Sequence, residues 1–425
     1  MAKRHNETCS DWASLLLRLE ELILANSGEN AFEELFKLLL VKFISETDRA
    51  EASPFDAACH PEEVLRRANR LLALADRRWP TLVNERFFRL RDDHLAICSA
   101  LLGRQTICGT DYDVLDAAFE HMIAKASKGS KGQFFTPRHV VEFCVRLVDP
   151  KPGELICDPA CGSGAFLMHA AKHTGEVKAG EQSTTPLFWG FDFDGRAIRV
   201  AKALSTFSGI QASRFLELNS LLRSHTPSLF ARSTSHDDVL TIEDATGRWK
   251  RVRENGGFDV ILANPPFAGE IKEAALLHDY TLGRGETKIE RDVLFTERCI
   301  ELLKPGGRMA IVLPHNKFAG ASYVTLRRWL LERFAVKAVV SLGRSTFLPH
   351  THQKTSILYG VKRDTVQRDL KPERITFAIS DRAGKDGRGE FIMREGVTKN
   401  DSVWISVDHD FEQIVRTIKL SEQEN

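Results

Sequence analysis

Asn264-Pro265-Pro266-Phe267 follows directly on the apolar run Val260 to Ala263. Such a run reads as a buried strand, and two prolines cannot continue a ladder. The strand therefore delivers Asn264 and two rigid residues to its own carboxyl end, with an aromatic ring behind them. In an open α/β sheet that end is where ligands bind. The chemistry that suits the tetrapeptide is methylation of an amino group conjugated to a planar ring or a carbonyl. The lone pair of such a nitrogen is delocalised. Two acceptors aimed at its N–H groups favour the pyramidal, more nucleophilic form. The Asn264 side-chain oxygen and the Pro265 carbonyl can supply them, and the prolines offer acceptors only. Phe267 can stack on the planar substrate. A plain strand-ending turn is the bland alternative for Asn-Pro, so the neighbours must decide.

A methyl donor needs its own place at the same sheet end. Glu154 to Cys157 reads as a short strand, and Asp158-Pro159-Ala160-Cys161-Gly162-Ser163-Gly164 as the turn after it. Ala165 to Met168 then opens a helix. Gly162 and Gly164 allow a tight bend and close approach of a ligand. The turn matches neither the GxGxxG of nicotinamide enzymes nor a Walker loop. An acid leading it repels pyrophosphate and attracts a cationic or amino group, as in S-adenosylmethionine. The next strand, Leu187 to Phe191, ends in Asp192-Phe193-Asp194. Asp192 is placed to accept both ribose hydroxyls, and Asp194 to cap the helix from Gly195 to Phe207. A third strand, Arg214 to Leu218, ends at Asn219, which could read the edge of the cofactor adenine.

The rest of the chain must hold these strand ends. With 425 residues it exceeds one ordinary core, so two domains are expected. Residues 1–127 read as an all-α domain. Amphipathic runs start at Ser10 or Asp11 and again near Phe32, Pro61-Glu62-Glu63 opens a third helix, and more helix follows over 82–102 and 112–126. The Arg66-Arg67, Arg70 and Arg77-Arg78 cluster reads as a solvated helix face. Ser127 to Gly132 reads as a hinge. Residues 128–425 then form the α/β domain. At its start, Thr136 is a candidate N-cap and Pro137 suits a first helical position.

Together, Asp158-Pro-Ala-Cys-Gly-Ser-Gly, Asn264-Pro-Pro-Phe and Gly132-Gln-Phe-Phe-Thr-Pro resemble the DNA adenine-N6 methyltransferases of the type I restriction–modification kind, the modification subunit. The order of the three segments also matches. The likeness runs from about Lys128 to Lys362. It implies the fold of S-adenosylmethionine-dependent methyltransferases: a mostly parallel, Rossmann-like sheet with helices on both faces, behind a helical amino-terminal domain. It implies that Phe135, Thr136 and Pro137 line the methionine end of S-adenosylmethionine. Asp158, Gly162 and Gly164, with Ala160 in the same turn, would hold its amino-acid part, and Asp192 its ribose. Asn219 stands where the family commonly has Asp. Asn264, Pro265, Pro266 and Phe267 would grip a flipped adenine, with Phe347 and Lys354 as further candidates to wall the base pocket.

A net charge of +1 means that DNA must be met by a local patch or a partner. All of the chain is used by the helical region and the sheet. Sequence recognition is therefore expected from a separate specificity subunit, with a restriction (nuclease or translocase) subunit as a further partner. The eight cysteines show no CxxC pair, and His350 with His352 lacks a third ligand, so no metal is expected. No run of about 18 apolar residues occurs, and a cytoplasmic protein without membrane contact is expected. Residues 222–257 read as a surface excursion with one or two short strands, and 268–292 as a loop that could close over the substrate. The end, from Arg363, reads as polar with weak strands, frayed at the last five residues. The rivals are a guanine-N2 RNA or glutamine-protein methyltransferase, which can use Asn-Pro-Pro-aromatic, and a non-catalytic scaffold binding the cofactor or DNA.

Overall fold

The structure, a computed structural model, describes residues 6–48, 52–56, 59–110, 112–126, 135–176, 187–210, 213–223, 250–397 and 402–424. The chain divides into two compact units, Met1–Gly129 with Arg199–Gly209, and Ser130–Ile198 with Ile210–Asn425. The expected hinge, Ser127 to Gly132, lies outside the described residues.

The first unit is helical: Asn6–Ser27, Ala31–Thr47, Pro61–Arg78, Asp92–Leu102 and Tyr112–Ala126, joined by the later turns of the Gly195–Phe207 helix. Its first helix already contains Ser10 and Asp11, so neither is the cap. Gly28, at φ +66°, follows its last residue. The second helix is capped by Asn30, whose Oδ1 accepts from Glu33 N–H at 3.4 Å. That helix is buried almost throughout, Glu34 and Lys37 included. These two pair with each other, and Lys37 also donates to the Phe87 carbonyl at 2.9 Å. Residues 82–91 are not helical, contrary to expectation; their N–H groups instead reach side chains, Phe88 to Asn69 and Arg89 to Glu34. Arg66 and Arg67 both pair with Glu63 of their own helix.

Among the described residues, the second unit is built on an eight-stranded sheet and a two-stranded ribbon. In chain order the strands are β1 (Ile156–Asp158), β2 (Phe188–Asp192), β3 (Ser213–Glu217), β4 (Phe258–Ala263), β5 (Glu270–Ile271), β6 (Ile289–Glu290), β7 (Leu303–Pro314), β8 (Phe334–Ser341), β9 (Thr355–Lys362) and β10 (Thr376–Ile379). The main sheet runs β10-β8-β9-β7-β4-β1-β2-β3, and β5 pairs with β6. All main-sheet pairings are parallel except the two made by β9. All six residues of β4 are buried. Successive strand residues face opposite sides, so both faces of the sheet are covered at its centre. Asp259 belongs to this frame: it accepts from Leu155 N–H at 2.8 Å and pairs with Lys304.

Three stretches depart from the sequence reading. Residues 268–292 are not an open loop. They fold as the β5–β6 ribbon with a helix at Ala274–Asp279, and Ile271, Leu276, Leu277 and Tyr280 form a small core with Leu221, Leu222, Leu294 and Phe295. The expected excursion over 222–257 lies mostly outside the described residues, and its described end is a helix, Lys250–Asn255. The carboxyl-terminal region has an expected weak strand, β10, at the sheet edge, but also an unexpected helix, Phe411–Gln423, which buries Phe411, Ile414 and Ile418 and takes in Ser421 to Gln423. Phe411 stacks on Phe143 at 4.5 Å between ring centroids.

Candidate active site

Parallel pairing brings the carboxyl ends of β2, β1 and β4 side by side; the Asp158–Gly164 turn, Asp192 and the Asn264 motif stand at these ends, with Asn219 after β3. After β1, Asp158 is 1% exposed. Its Oδ1 accepts from Ala160 N–H at 2.9 Å, closing a tight turn over Pro159. Gly162 and Gly164 sit at φ +53° and +89°, values that favour glycine. The loop is tied to β2, because Cys161 N–H donates to the Phe191 carbonyl at 2.9 Å and Gly162 N–H to Asp192 Oδ2 at 2.9 Å. The second Asp192 oxygen accepts from Asp194 N–H at 2.9 Å. Asp194 takes the expected capping place, accepting from Arg196 N–H at 2.9 Å.

Burial pushes the Asp158 carboxyl well above the usual carboxylate range. The Ala160 N–H opposes that rise, and the neighbouring charge of Asp192 adds to it. Burial raises Asp192 as well, against the Asp194 and Gly162 N–H groups. A buried acid of this kind is neutralised either by a proton or by a cation at the loop. Among the described residues none supplies a cation to Asp158, whose one hydrogen bond comes from Ala160. An ideal Cβ on Gly162 would meet nothing within 4 Å, so the loop backbone faces open space there. The donor set fits S-adenosylmethionine: a buried acid for its α-amino group, glycine backbone beside it, and Asp192 for the ribose. A carboxylate offers about four acceptor positions, so the backbone N–H groups that meet Asp192 leave it room to accept from a ribose hydroxyl. After β3, Asn219 spends its Oδ1 on Leu221 N–H at 3.1 Å, and its amide nitrogen can still donate to a purine edge.

The end of β4 is built differently. Asn264 Nδ2 donates to Thr136 Oγ1 at 2.8 Å, across 128 residues of chain. This fixes the amide plane and turns Oδ1 away from Thr136. Thr136 is therefore not the helix cap. Pro137 holds the cap position of the Arg138–Val148 helix, with no side-chain bond. The Phe135-Thr136-Pro137 segment and the Asn264 motif thus meet through that hydrogen bond. Phe267 is buried and lies edge-on to Phe347, 6.0 Å between centroids at 74°. Lys354 contributes its carbonyl to the frame, accepting from His315 N–H at 2.9 Å.

Some positions were invisible in the sequence. Gly190 lies under the cofactor loop, where a Cβ would stand 2.5 Å from the Phe215 ring and 2.9 Å from Cys161 Sγ. A glycine in a strand hints at close approach, but only the structure names the neighbours. Phe193 is 60% exposed directly beside Asp192, an aromatic ring at the place where a purine would follow the ribose. No described helix is long and apolar enough to cross a membrane.

Residues 110–386, more than half of the chain, match the family model N-6 DNA Methylase. The methylase subunit of the type I restriction enzyme EcoEI from Escherichia coli is 32% identical over 241 residues, covering 56% of this chain and 44% of that protein. The EcoKI methylase subunit from E. coli K12 is 26% identical over 244 residues, covering 56% and 42%. The matched segment is thus less than half the length of these relatives. In fold, the chain resembles the type I restriction–modification methyltransferase subunit from Streptococcus thermophilus, with a TM-score of 0.60 at 17% identity over 97% of this chain and 93% of that one. It also resembles a chain from a structure concerned with assembly of the type I restriction–modification system, with a TM-score of 0.59 at 19% identity, covering 98% and 82%. The fold is that of the S-adenosylmethionine-dependent methyltransferases, and the chain belongs to the N-6 DNA methylase family.

Proposed function

We propose that this protein is a DNA adenine-N6 methyltransferase using S-adenosylmethionine and working as the modification subunit of a type I-like restriction–modification or related defence complex. The observation that carries the reading is the Asn264–Thr136 hydrogen bond, which joins the base-side motif to the cofactor-side segment within one site. Bound S-adenosylmethionine supplies an electrophilic methyl on a sulfonium. The chain's own residues hold, orient and accept. Asp158, Ala160, Gly162 and Gly164 cradle the amino-acid part, Phe135, Thr136 and Pro137 flank its methionine end, and Asp192 takes the ribose. Phe193 covers the purine and Asn219 reads its edge. A base inside a duplex cannot reach this pocket, so the adenine must be extruded, and Phe267 then lies against it. Asn264 Oδ1 and the Pro265 carbonyl accept from the exocyclic amine, while Pro266 keeps the backbone rigid. No side chain of Asn264–Phe267 is a base. None is needed before attack: as the new N–C bond forms, the methyl's bond to the sulfonium sulfur breaks to leave a neutral thioether, and the proton released by the amine passes to solvent.

The relatives named above are methylase subunits of type I restriction enzymes. We extend that role here: a separate specificity subunit reads the DNA sequence, and a restriction subunit can join the complex. Site-specific methylation by the purified single chain would sink this part. The reaction itself is tested by a strand-resolved map of N6-methyladenine in cells carrying the native gene neighbourhood, wild type beside Asn264→Ala. A motif-specific mark that vanishes in the variant is expected. Two blank maps with folded protein would reject DNA adenine as the substrate.

A further inference from the structure

Beyond the end of β7 lies a charge cluster that no catalytic step uses, with Lys317 and Asp292 buried and Glu290 partly exposed. Lys317 and Asp292 are 2% and 0% exposed. Lys317 Nζ lies 2.6 Å from Glu290 Oε2 and 3.3 Å from Asp292 Oδ2, and 4.2 Å from the Tyr323 ring centroid. The Tyr323 hydroxyl donates to the same Glu290 oxygen at 2.6 Å. Lys317 is held in turn, since Arg327 Nη1 donates to its carbonyl at 3.2 Å and to that of Gly320 at 2.7 Å.

What this cluster grips is the exit from Phe267. The chain runs Phe267-Ala268-Gly269 into β5. There Glu270 pairs with Glu290, and the Gly269 carbonyl accepts from Arg291 N–H at 3.1 Å. Gly269 sits at φ +105°, and a Cβ there would stand 3.0 Å from the Arg291 guanidinium. Glu290 and Asp292 therefore flank the residue that anchors the motif's exit, and Lys317, just beyond the end of β7, holds both. A buried ion pair is seldom a net source of stability compared with apolar side chains of similar volume. Its best-attested use is to fix one arrangement among several.

We propose that Lys317, through Glu290 and Asp292, is a positioning residue that sets where the chain leaves Phe267 and hence the geometry of the base pocket. This rests on the methyltransferase reading above for its effect on rate, but not for its effect on backbone order.

The test compares Lys317→Met, Lys317→Arg and Glu290→Gln in the full chain with whatever partners co-purify. Hydrogen–deuterium exchange is measured over residues 264–271 and over the cofactor loop, 158–164. Methyl transfer is measured on a duplex carrying the sequence read from the methylation map. Faster exchange over 264–271 is expected, with the cofactor loop unchanged. The kcat should fall roughly tenfold with the KM for S-adenosylmethionine within about twofold, and Lys317→Arg should recover part of the loss. Unchanged exchange and kcat in folded variants overturn the proposal. So does a uniform rise in exchange across the chain, which marks general destabilisation. If Lys317→Met does not fold, Glu290→Gln and Tyr323→Phe decide by the same readings. Failure of the methyltransferase reading shows instead as a wild type that leaves adenine unmethylated, and the exchange comparison still decides the positioning role.

Discussion

The carboxyl ends of β1 and β2 carry acids, whereas the end of β4, on the other side of β1, carries an amide, two prolines and an aromatic ring. The two halves of one site thus use opposite chemistry. On the cofactor side, Asp158 and Asp192 are pushed up by burial and restrained mainly by backbone N–H groups. That side presents buried acids that a cationic ligand would hold in the carboxylate form. On the base side, nothing in Asn264–Phe267 titrates, and orientation comes from a neutral hydrogen bond to Thr136. The difference teaches where each free energy is spent. In the proposed reaction, charge complementarity would bind the donor, and neutral, fixed acceptors would act on the amine as it becomes nucleophilic.

The comparison breaks most directly at Asn264. Asn264→Ala should lower methyl transfer by roughly a thousandfold, as loss of a fixed electrostatic contact to the reacting group does, while leaving cofactor affinity nearly intact. Single-turnover transfer of labelled methyl to DNA checks it. The mirror variant, Asp158→Asn, should weaken cofactor binding by about tenfold to a hundredfold, since it leaves a buried cation unpaired. The sign with pH follows from the raised carboxyl. A cationic ligand needs the carboxylate, so wild-type affinity should fall as pH falls through that raised value. In Asp158→Asn the dependence should flatten, as titration calorimetry at several pH values can read.

A smaller effect sharpens the cofactor side alone. Gly190→Ala forces a Cβ against Phe215 and Cys161 and should cost about 1–3 kcal/mol by overpacking, measured by denaturant unfolding. The smallest concerns the helix that starts at Pro137. His139 is fully buried, donates from Nε2 to the Ala383 carbonyl at 2.9 Å, and stacks on Phe411. Burial lowers it from 6.5 to about 3, and lowers His409 to about 4. The unfolded chain therefore takes up these protons first. The contribution of both groups is intact above about pH 6.5 and is lost progressively as pH falls toward their folded values. His139→Phe should reduce the slope of that acid loss, followed by thermal melts between neutral and acid pH.

What was legible in the sequence is what local chemistry dictates. Strand-ending prolines after β4, glycines in the turn after β1 and acids closing β1 and β2 mark the sheet ends without knowledge of their neighbours. Asp194 was readable as a cap because its partner, Arg196 N–H, is two residues away. Thr136 was misread as a cap because its partner, Asn264, is 128 residues away. Residues 268–292 were misread as open because their apolar residues are isolated in sequence. Ile271, Leu276, Leu277 and Tyr280 find their core only with Leu221, Leu222, Leu294 and Phe295. β10 was readable only as a weak strand because Phe377 and Ile379 are exposed, at 74% and 69%, so its alternation does not mark a buried face. The Phe411–Gln423 helix was readable in principle, since Phe411, Ile414 and Ile418 recur at helical spacing.

The most direct test of the division between the two halves is a calorimetric titration of S-adenosylmethionine into the wild type, Asp158→Asn and Asn264→Ala. The account predicts that Asn264→Ala binds as the wild type does while Asp158→Asn loses most of its affinity. Loss of binding in Asn264→Ala, or full binding in Asp158→Asn, would contradict it.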